Sequence, residues 1–332
     1  AGGVGQQAKG NLMVVRRTAS EIDLNPERLN MDSCKLGRCP VLEGEQRLRL
    51  LTYQNNSVRR IENLHGLHNL IFLDFYNNQL THIDGLEHVP SLRVLMVGKN
   101  RITSISPGAL SHLSRLDVLD LHSNCLTEVA HLDTLSELRV LNLAGNAISK
   151  LDSLKGLTSL TEINVRRNQI TQLCSLDRDT LPHLQRVFLS NNLLPSLAGL
   201  GSLTGVDTHP PLTEMTLHGN PFAAVKELYR PQLFTAISTL KLLDGKALHS
   251  LLQGALHTQQ QQAAQLNTNG VPATGSSVPA SPAAGVSAQW EAGTVSPGSL
   301  LLSTSSNGMA DGLHKMSSSS YIAGAGAGAG GG

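Results

Sequence analysis

The sequence predicts an α/β solenoid. About nine coils form a horseshoe, with short parallel strands lining the concave side, a C-terminal cap and a low-complexity tail. Three observations predict it. An asparagine returns at nearly fixed intervals, each time after the same spacing of leucines. Leucine carries the apolar content, because hydrophobic residues make up 40% of the 332 while aromatics supply only 3%. Charge also ends abruptly, since residues 251–332 hold only Glu291, Asp311 and Lys315 as acidic and basic side chains.

Residues 1–19 open with "AGGVGQQAKG" and are expected to be a disordered N-terminal segment. The repeating domain is expected over residues 20–248, with its coils at 26–219. The first coil, "PERLNMDSCKL" (26–36), is degenerate and puts Cys34 in the asparagine slot. Eight regular coils follow, from "LRLLTYQNNSV" (48–58) to "LTEMTLHGNPF" (212–222). Their asparagines are Asn56, Asn78, Asn100, Asn124, Asn146, Asn168, Asn192 and Asn220, separated by 22, 22, 24, 22, 22, 24 and 28 residues. Periods of this length mark stacked-coil architectures. The pattern LxxLxLxx(N/C)xL is that of the leucine-rich repeat.

Each middle LxL reads as a short strand. Alternation sends Leu95 and Val97 inward and Met96 outward, and strands of successive coils stack about 4.8 Å apart. After the strand the chain turns and leaves backbone groups without sheet partners, which must still be hydrogen-bonded when buried. An inward asparagine amide offers two donors and an acceptor for that purpose. The nine slots, Cys34 included, therefore predict a structural ladder. The return legs place Leu80, Ile83, Leu86, Val89 and Leu92 about three apart, a spacing suited to a 3₁₀ or short helical convex side. Longer coils carry their extra residues at "SPGAL" (106–110), "DRDTL" (177–181) and "TGVDTHPP" (204–211).

A stack exposes apolar edges at its ends, so caps are required. Residues 220–248 depart from the coil pattern. Tyr229, Leu233, Phe234, Ile237, Leu240, Leu242 and Leu243 are placed to cover the last coil. Residues 249–332, with "QQQQ" and "GAGAGAGGG", are too poor in large apolar residues to offset chain entropy and are expected to be disordered.

Catalytic patterns are missing from the sequence. Thirteen histidines form no HExxH, and the glycines of "AGGVG" open no strand–helix unit. His65 and His68 fall on a convex return leg, where surface polarity accounts for them. The four cysteines show no zinc or disulfide spacing and fit a reducing compartment. A net charge of +1 offers no general attraction to nucleic acid or membrane. Neither a signal-peptide pattern nor an 18-residue apolar run is present, predicting neither secretion nor a membrane span. No cofactor or metal is expected.

An extended concave sheet is instead an asset for binding proteins. Its outward positions supply the candidate partner-binding residues: Phe72, Asp74, Tyr76, Met96, Lys99, Asp120, His122, Asn142, Glu162, Asn164, Arg166, Arg167, Arg186 and Phe188. Phe72, Tyr76, Met96 and Phe188 are expected to stand exposed as anchors. Asp74 and Asp120 lie in one half, with Arg166, Arg167 and Arg186 in the other, a stripe with two poles.

The coils and the cap "YRPQLFTAISTLKLLDG" resemble the intracellular short-repeat class. The segments "PVLEGEQRLRLL", "LIFLDFYNNQLTHIDGL", "LRVLMVGKN" and "LRVLNLAGNAIS" are similar to the leucine-rich-repeat subunit of the tubulin polyglutamylase complex. The resemblance runs from about residue 25 to 248. It implies a non-catalytic scaffold that assembles or targets the complex. Its implied partners are a tubulin ligase-like enzyme, other complex subunits and tubulin itself, in the cytoplasm on the microtubule cytoskeleton of cilia, flagella or centrioles. A phosphatase-regulatory or axonemal dynein light-chain-type module is the alternative within the same class.

Overall fold

The computed structural model describes residues 5–9, 12–173, 176–177, 179–198, 200, 212–224, 229–230, 232–233 and 237–247. The expected tail at 249–332, Phe234 and the loop at 204–211 lie outside them.

Within the segment expected to be disordered, the described residues form regular elements. β1 (Gly5–Lys9) and β2 (Leu12–Arg16) form an antiparallel hairpin. After it comes α1 (Ala19–Leu24), started by a capping box in which Thr18 Oγ1 accepts from the Glu21 amide and the Glu21 carboxylate accepts from the Thr18 amide. β3 (Arg28–Asn30) opens the first coil, and β4 (Val41–Leu42) pairs parallel with β2. Arg17 locks this arrangement. It is buried beside Glu45, donates from Nε to Oε1 at 2.6 Å and from a terminal nitrogen to Oε2 at 2.5 Å, and also reaches the carbonyls of Asn25 and Arg28. An arginine next to Arg16 carries no local sign of a carboxylate 28 residues away, so the composition of the segment alone pointed to disorder. The segment is an N-terminal cap.

The coils then advance as expected. β5 (Leu50–Thr52), β6 (Phe72–Asp74), β7 (His82–Ile83), β8 (Val94–Met96), β9 (Ser104–Ile105), β10 (Val118–Asp120), β11 (Val140–Asn142), β12 (Glu162–Asn164), β13 (Arg186–Phe188) and β14 (Glu214–Thr216) follow in chain order. β3, β5, β6, β8 and β10 through β14 are nine parallel neighbours in one sheet, one for each coil that the asparagine register marks. Their middle residues pair in one unbroken row, Leu29, Leu51, Leu73, Leu95, Leu119, Leu141, Ile163, Val187 and Met215. Every one of them is buried. β7 and β9 form a small second parallel pair just past the asparagine turns.

The cap does more than cover the last coil. β15 (Leu242–Leu243) adds a tenth parallel strand, with Leu243 continuing the row of middle residues, and β16 (Lys246–Ala247) folds back antiparallel to finish the edge. Asp244 and Gly245, at φ of 51° and 73°, make the two-residue turn. Tyr229, Leu233, Ile237, Leu240 and Leu243 are buried as predicted, while Leu242 is exposed.

The convex side is less helical than the leucine spacing suggested. Its legs are built of turns closed by i→i+3 bonds, such as Leu67 N to Leu64 O and Leu70 N to Leu67 O, and among the described residues of the legs there is no regular helix. Sending every third side chain inward closes one turn at a time and leaves no 3.6-residue face to extend. Here the α part of the predicted α/β solenoid reduces to turns. His65 and His68 are exposed on such a leg.

Candidate functional site: the concave face

The asparagines fix the frame on which this face is built. Asn124 donates to the carbonyls of Leu121 in its own coil and Val97 in the preceding one, and its Oδ1 accepts the Ile102 amide. The same three-way bond recurs at Asn56, Asn78, Asn100, Asn146, Asn168, Asn192 and Asn220. Each amide thus ties its coil to the one before it. Cys34 is the exception. It is exposed and gives only a weak local bond to the Asp32 carbonyl. The first coil has no earlier coil to reach, so its slot carries no rung.

The residue before each asparagine is left-handed, from Ser33 at φ 56° through Lys99 at 50° and Arg167 at 55° to Gly219 at 73°. This turn explains Asn55, Asn77 and Asn191, a residue type that tolerates positive φ. Lys99 and Arg167 are less suited to it, and both are exposed there.

Three columns run across the sheet. The first, Leu50, Phe72, Val94, Val118 and Val140, is apolar and then gives way to Glu162 and Arg186. The second holds Thr52, Asp74, Met96, Asp120, Asn142, Asn164, Phe188 and Thr216. The third, beyond the strands, includes Gln54, Tyr76, Gly98, His122 and Arg166.

The predicted exposed anchors are not exposed. Phe72 retains 9% of its surface, Met96 5% and Phe188 4%, while Tyr76 is half-buried. Strands about 4.8 Å apart bring each column's side chains into contact. Phe72 sits between Leu50 and Val94, and the Arg166 guanidinium lies over Phe188 at 4.3 Å. Among the described residues the exposed large hydrophobics are Leu24, Leu193 and Leu242, none of them in these columns.

The acidic pole is buried too, and much of it serves the backbone. Asp74 Oδ1 accepts from the Tyr76 backbone amide at 2.8 Å and Oδ2 accepts from the Gln54 side-chain Nε2 at 2.5 Å. Asp120 Oδ1 accepts both the amide and Nδ1 of His122. Asn142 and Asn164 accept from the amide two residues ahead in the same way. Short polar side chains at this register therefore form Asx-type turns, a structural role beside any role in binding. Burial pushes the Asp74 carboxyl up to about 7, with Asp32 and Asp120 adding repulsion against the bonds from Tyr76 and Gln54. His122 lies against Gly98, where an added Cβ would meet the ring at 2.4 Å, so only glycine admits it. The Tyr76 ring lies 5.8 Å from His122 and carries the Lys99 ammonium at 5.0 Å.

The basic pole is more open. Arg167 and Arg186 are exposed, and Arg186 pairs with Glu162 at 2.6 Å. Burial raises the Glu162 carboxyl, against the pull of Arg186. Arg166 is half-buried and donates from Nε to Thr216 Oγ1 at 3.3 Å. The structure thus brings Asp74, Tyr76, Met96, Lys99, Asp120 and His122 together over coils three to five. Glu162, Arg166, Arg186 and Phe188 gather over coils seven and eight. Gln54 and Thr216 share the outward registers of the predicted face but were not among the candidate binding residues, and the valine column was missed although Val94, Val118 and Val140 share one register. Among the described residues no group of three or more metal-binding side chains occurs, and no helix is long and apolar enough to cross a membrane.

A curved row of parallel strands, tied by asparagine amides and presenting an extended mixed face, defines a leucine-rich-repeat solenoid, a class of protein-binding scaffolds. Comparison with known proteins agrees. The family model described as leucine rich repeat matches residues 90–148, and one described as leucine rich repeats (2 copies) matches residues 136–178. More particularly, the chain is 44% identical over 54 residues to leucine-rich repeat-containing protein 49 of Mus musculus, and 43% identical over 54 residues to the Homo sapiens protein of that name. These stretches cover 16% of this chain and 8% of each relative, so the chain spans under a tenth of their length. Among solved structures, internalin C2 of Listeria monocytogenes is similar with a TM-score of 0.50 and 27% identity, over 61% of this chain and 83% of that one.

Proposed function

We propose that this chain is a non-catalytic scaffold that assembles or targets a tubulin polyglutamylase complex to the microtubules of cilia and centrioles. The observation that carries the binding role is the ten-strand parallel sheet, whose face holds mixed charge and buried aromatics in fixed rows. The likeness of residues 25–248 to the repeat subunit of that complex supports the finer reading. On this reading the glutamate-ligating activity belongs to a tubulin ligase-like partner, and the protein works on the cytoplasmic cytoskeleton without a cofactor of its own.

Affinity capture of the full chain from ciliated cells, followed by mass spectrometry, tests this. A tubulin ligase-like enzyme should co-purify, and deletion should lower tubulin glutamylation. Capture of a phosphatase catalytic subunit or a dynein heavy chain in its place would move the protein to another branch of the same class. Purified chain that glutamylates tubulin unaided would overturn the scaffold reading.

A further inference from the structure

One rim of the solenoid carries exposed positive charge with no carboxylate beside it. It is the line where the chain leaves each strand and turns at the asparagine. Two rows of side chains run along it, tied from coil to coil by backbone bonds such as Lys99 N to His122 O and Arg101 N to Leu80 O. From Ser33 to Gly219 the turn row holds no aspartate or glutamate, and neither does the row two positions on, from Lys35 to Pro221. Lys35, Lys99, Arg101 and Arg167 stand in these rows. All four are exposed, and among the described residues none pairs with a carboxylate. The opposite rim, where the strands begin, compensates its charge: Arg49 pairs with Glu27, Arg139 with Asp117 and Arg186 with Glu162.

Two of these cations sit where the fold does not favour them. Lys99 and Arg167 are left-handed, at φ of 50° and 55°. Other coils fill that position with Asn55, Asn77, Gly145 and Asn191, types that hold positive φ with less strain. The Lys99 ammonium rests only on the Tyr76 ring, and the Arg167 guanidinium gains no bond among the described residues. Backbone strain with so little return in packing points to a use outside the fold. Leu193 adds an apolar end to the line. It continues the second row one coil past Gln169, through Leu193 N to Ile170 O, and keeps 50% of its surface. A leucine offers nothing to a phosphate, and neither row contains an aromatic ring on which a base could stack. The chemistry therefore favours a peptide over a nucleic acid.

We propose that the asparagine-turn rim over coils four to eight binds an extended acidic segment of a protein partner, with its carboxylates on Lys99, Arg101 and Arg167 and an apolar side chain on Leu193. Lys99 and Arg167 stand three coils apart, on the order of 14 Å at about 4.8 Å per strand, a span that about four residues of extended chain cover. Arg101 and Arg167 each offer a planar fork of donors that matches a carboxylate. The proposal rests on the scaffold reading for the partner being a protein, and it names the chemistry of one segment that the scaffold holds.

Fluorescence anisotropy on the full chain tests it, with labelled hexaglutamate, the same peptide ending in leucine, hexaglutamine and a thymidine oligonucleotide as probes. Hexaglutamate should bind saturably and more weakly as salt is raised, and hexaglutamine should not bind. The leucine-ended peptide should bind several-fold tighter, and Leu193→Ser should remove that gain. Lys99→Asn combined with Arg167→Asn installs the residue that other coils carry at this register. It should weaken hexaglutamate binding about tenfold while the melting temperature holds or rises, a combination that a structural role for the two cations would not give. Arg101→Gln, which leaves the turn backbone alone, should also weaken binding and provides a second reading if the double variant does not fold. No saturation with hexaglutamate, wild-type affinity in these variants, or oligonucleotide binding as tight as that of the acidic peptides would overturn the site. Failure here is distinct from failure of the earlier proposal. Absent peptide binding with a ligase-like enzyme still captured sinks only the rim, whereas peptide binding with no such enzyme captured sinks only the microtubule complex as its setting.

Discussion

Single side chains decide whether a coil closes. Asn124 satisfies one buried amide and two buried carbonyls at once, and alanine can replace none of those bonds. Asn124→Ala should cost about 1–3 kcal/mol, seen as an earlier denaturant midpoint with little change in slope. Asn146→Ala should cost less, because that rung is only partly buried and water can reach its partners. Tyr53 is the opposite case. It is fully buried and stacked on Phe75 at 5.0 Å, yet its hydroxyl has no partner. Tyr53→Phe should therefore leave stability equal or raise it by up to about 1 kcal/mol, whereas a loss of stability would show that the hydroxyl is bonded.

Asp74 gives the residue scale a pH dependence. Its folded carboxyl titrates at about 7 against an ordinary 3.8. Between these values the folded chain holds a proton that the unfolded chain has lost. Stability contributed by this group is therefore greatest in acid, falls as pH rises through the window, and stays low above it. Asp74→Asn should raise the melting temperature at pH 8 and do little at pH 4. The difference is on the order of 2–4 kcal/mol. An equal effect at both pH values would show that Asp74 is not protonated preferentially in the fold.

At the scale of elements, the ends differ from the middle. An inner coil is held by neighbours on both sides, while the first and last need substitutes. Arg17 and Glu45 do this at one end by pinning β2 and β4 beside the first coils. Arg17→Ala leaves Glu45 buried without its cation and should cost about 3–5 kcal/mol. Because each coil touches only its neighbours, hydrogen exchange should accelerate over residues 12–58 first and leave the coils near residue 140 protected. Asp244 plays the matching part at the other end. Burial alone would raise its carboxyl, but the Tyr229 hydroxyl and the amides of Leu217 and His218 hold it below the usual range.

Across the whole repeat domain, the face and the core can be perturbed separately. Arg166 is stacked on Phe188 and bonded to Thr216, so reversing its charge would damage packing as well as the surface. Arg167 is exposed on a turn and offers a cleaner probe. Arg167→Glu should keep the far-UV spectrum and melting temperature of the parent and reduce capture of any partner that uses the basic pole. Unchanged capture would confine recognition to the acidic half or to another surface of the solenoid.

The repeat itself was legible because coil stacking is a local rule applied nine times. The leucine spacing sets which side chains point inward, and the asparagine sets where the backbone must turn. Both repeat in the sequence at the period of the coil, so strand positions and register followed directly. The burial of Phe72, Met96 and Phe188 was not legible, since it depends on neighbours 22 or more residues away. The Arg17–Glu45 pair and the tenth strand escaped notice for the same reason: each joins segments that share no pattern. What the sequence determined alone was the coil, because its hydrogen bonds and apolar positions are periodic. What only the tertiary structure decided was how the ends close and which polar groups on the face remain unsatisfied, because those depend on contacts that occur once.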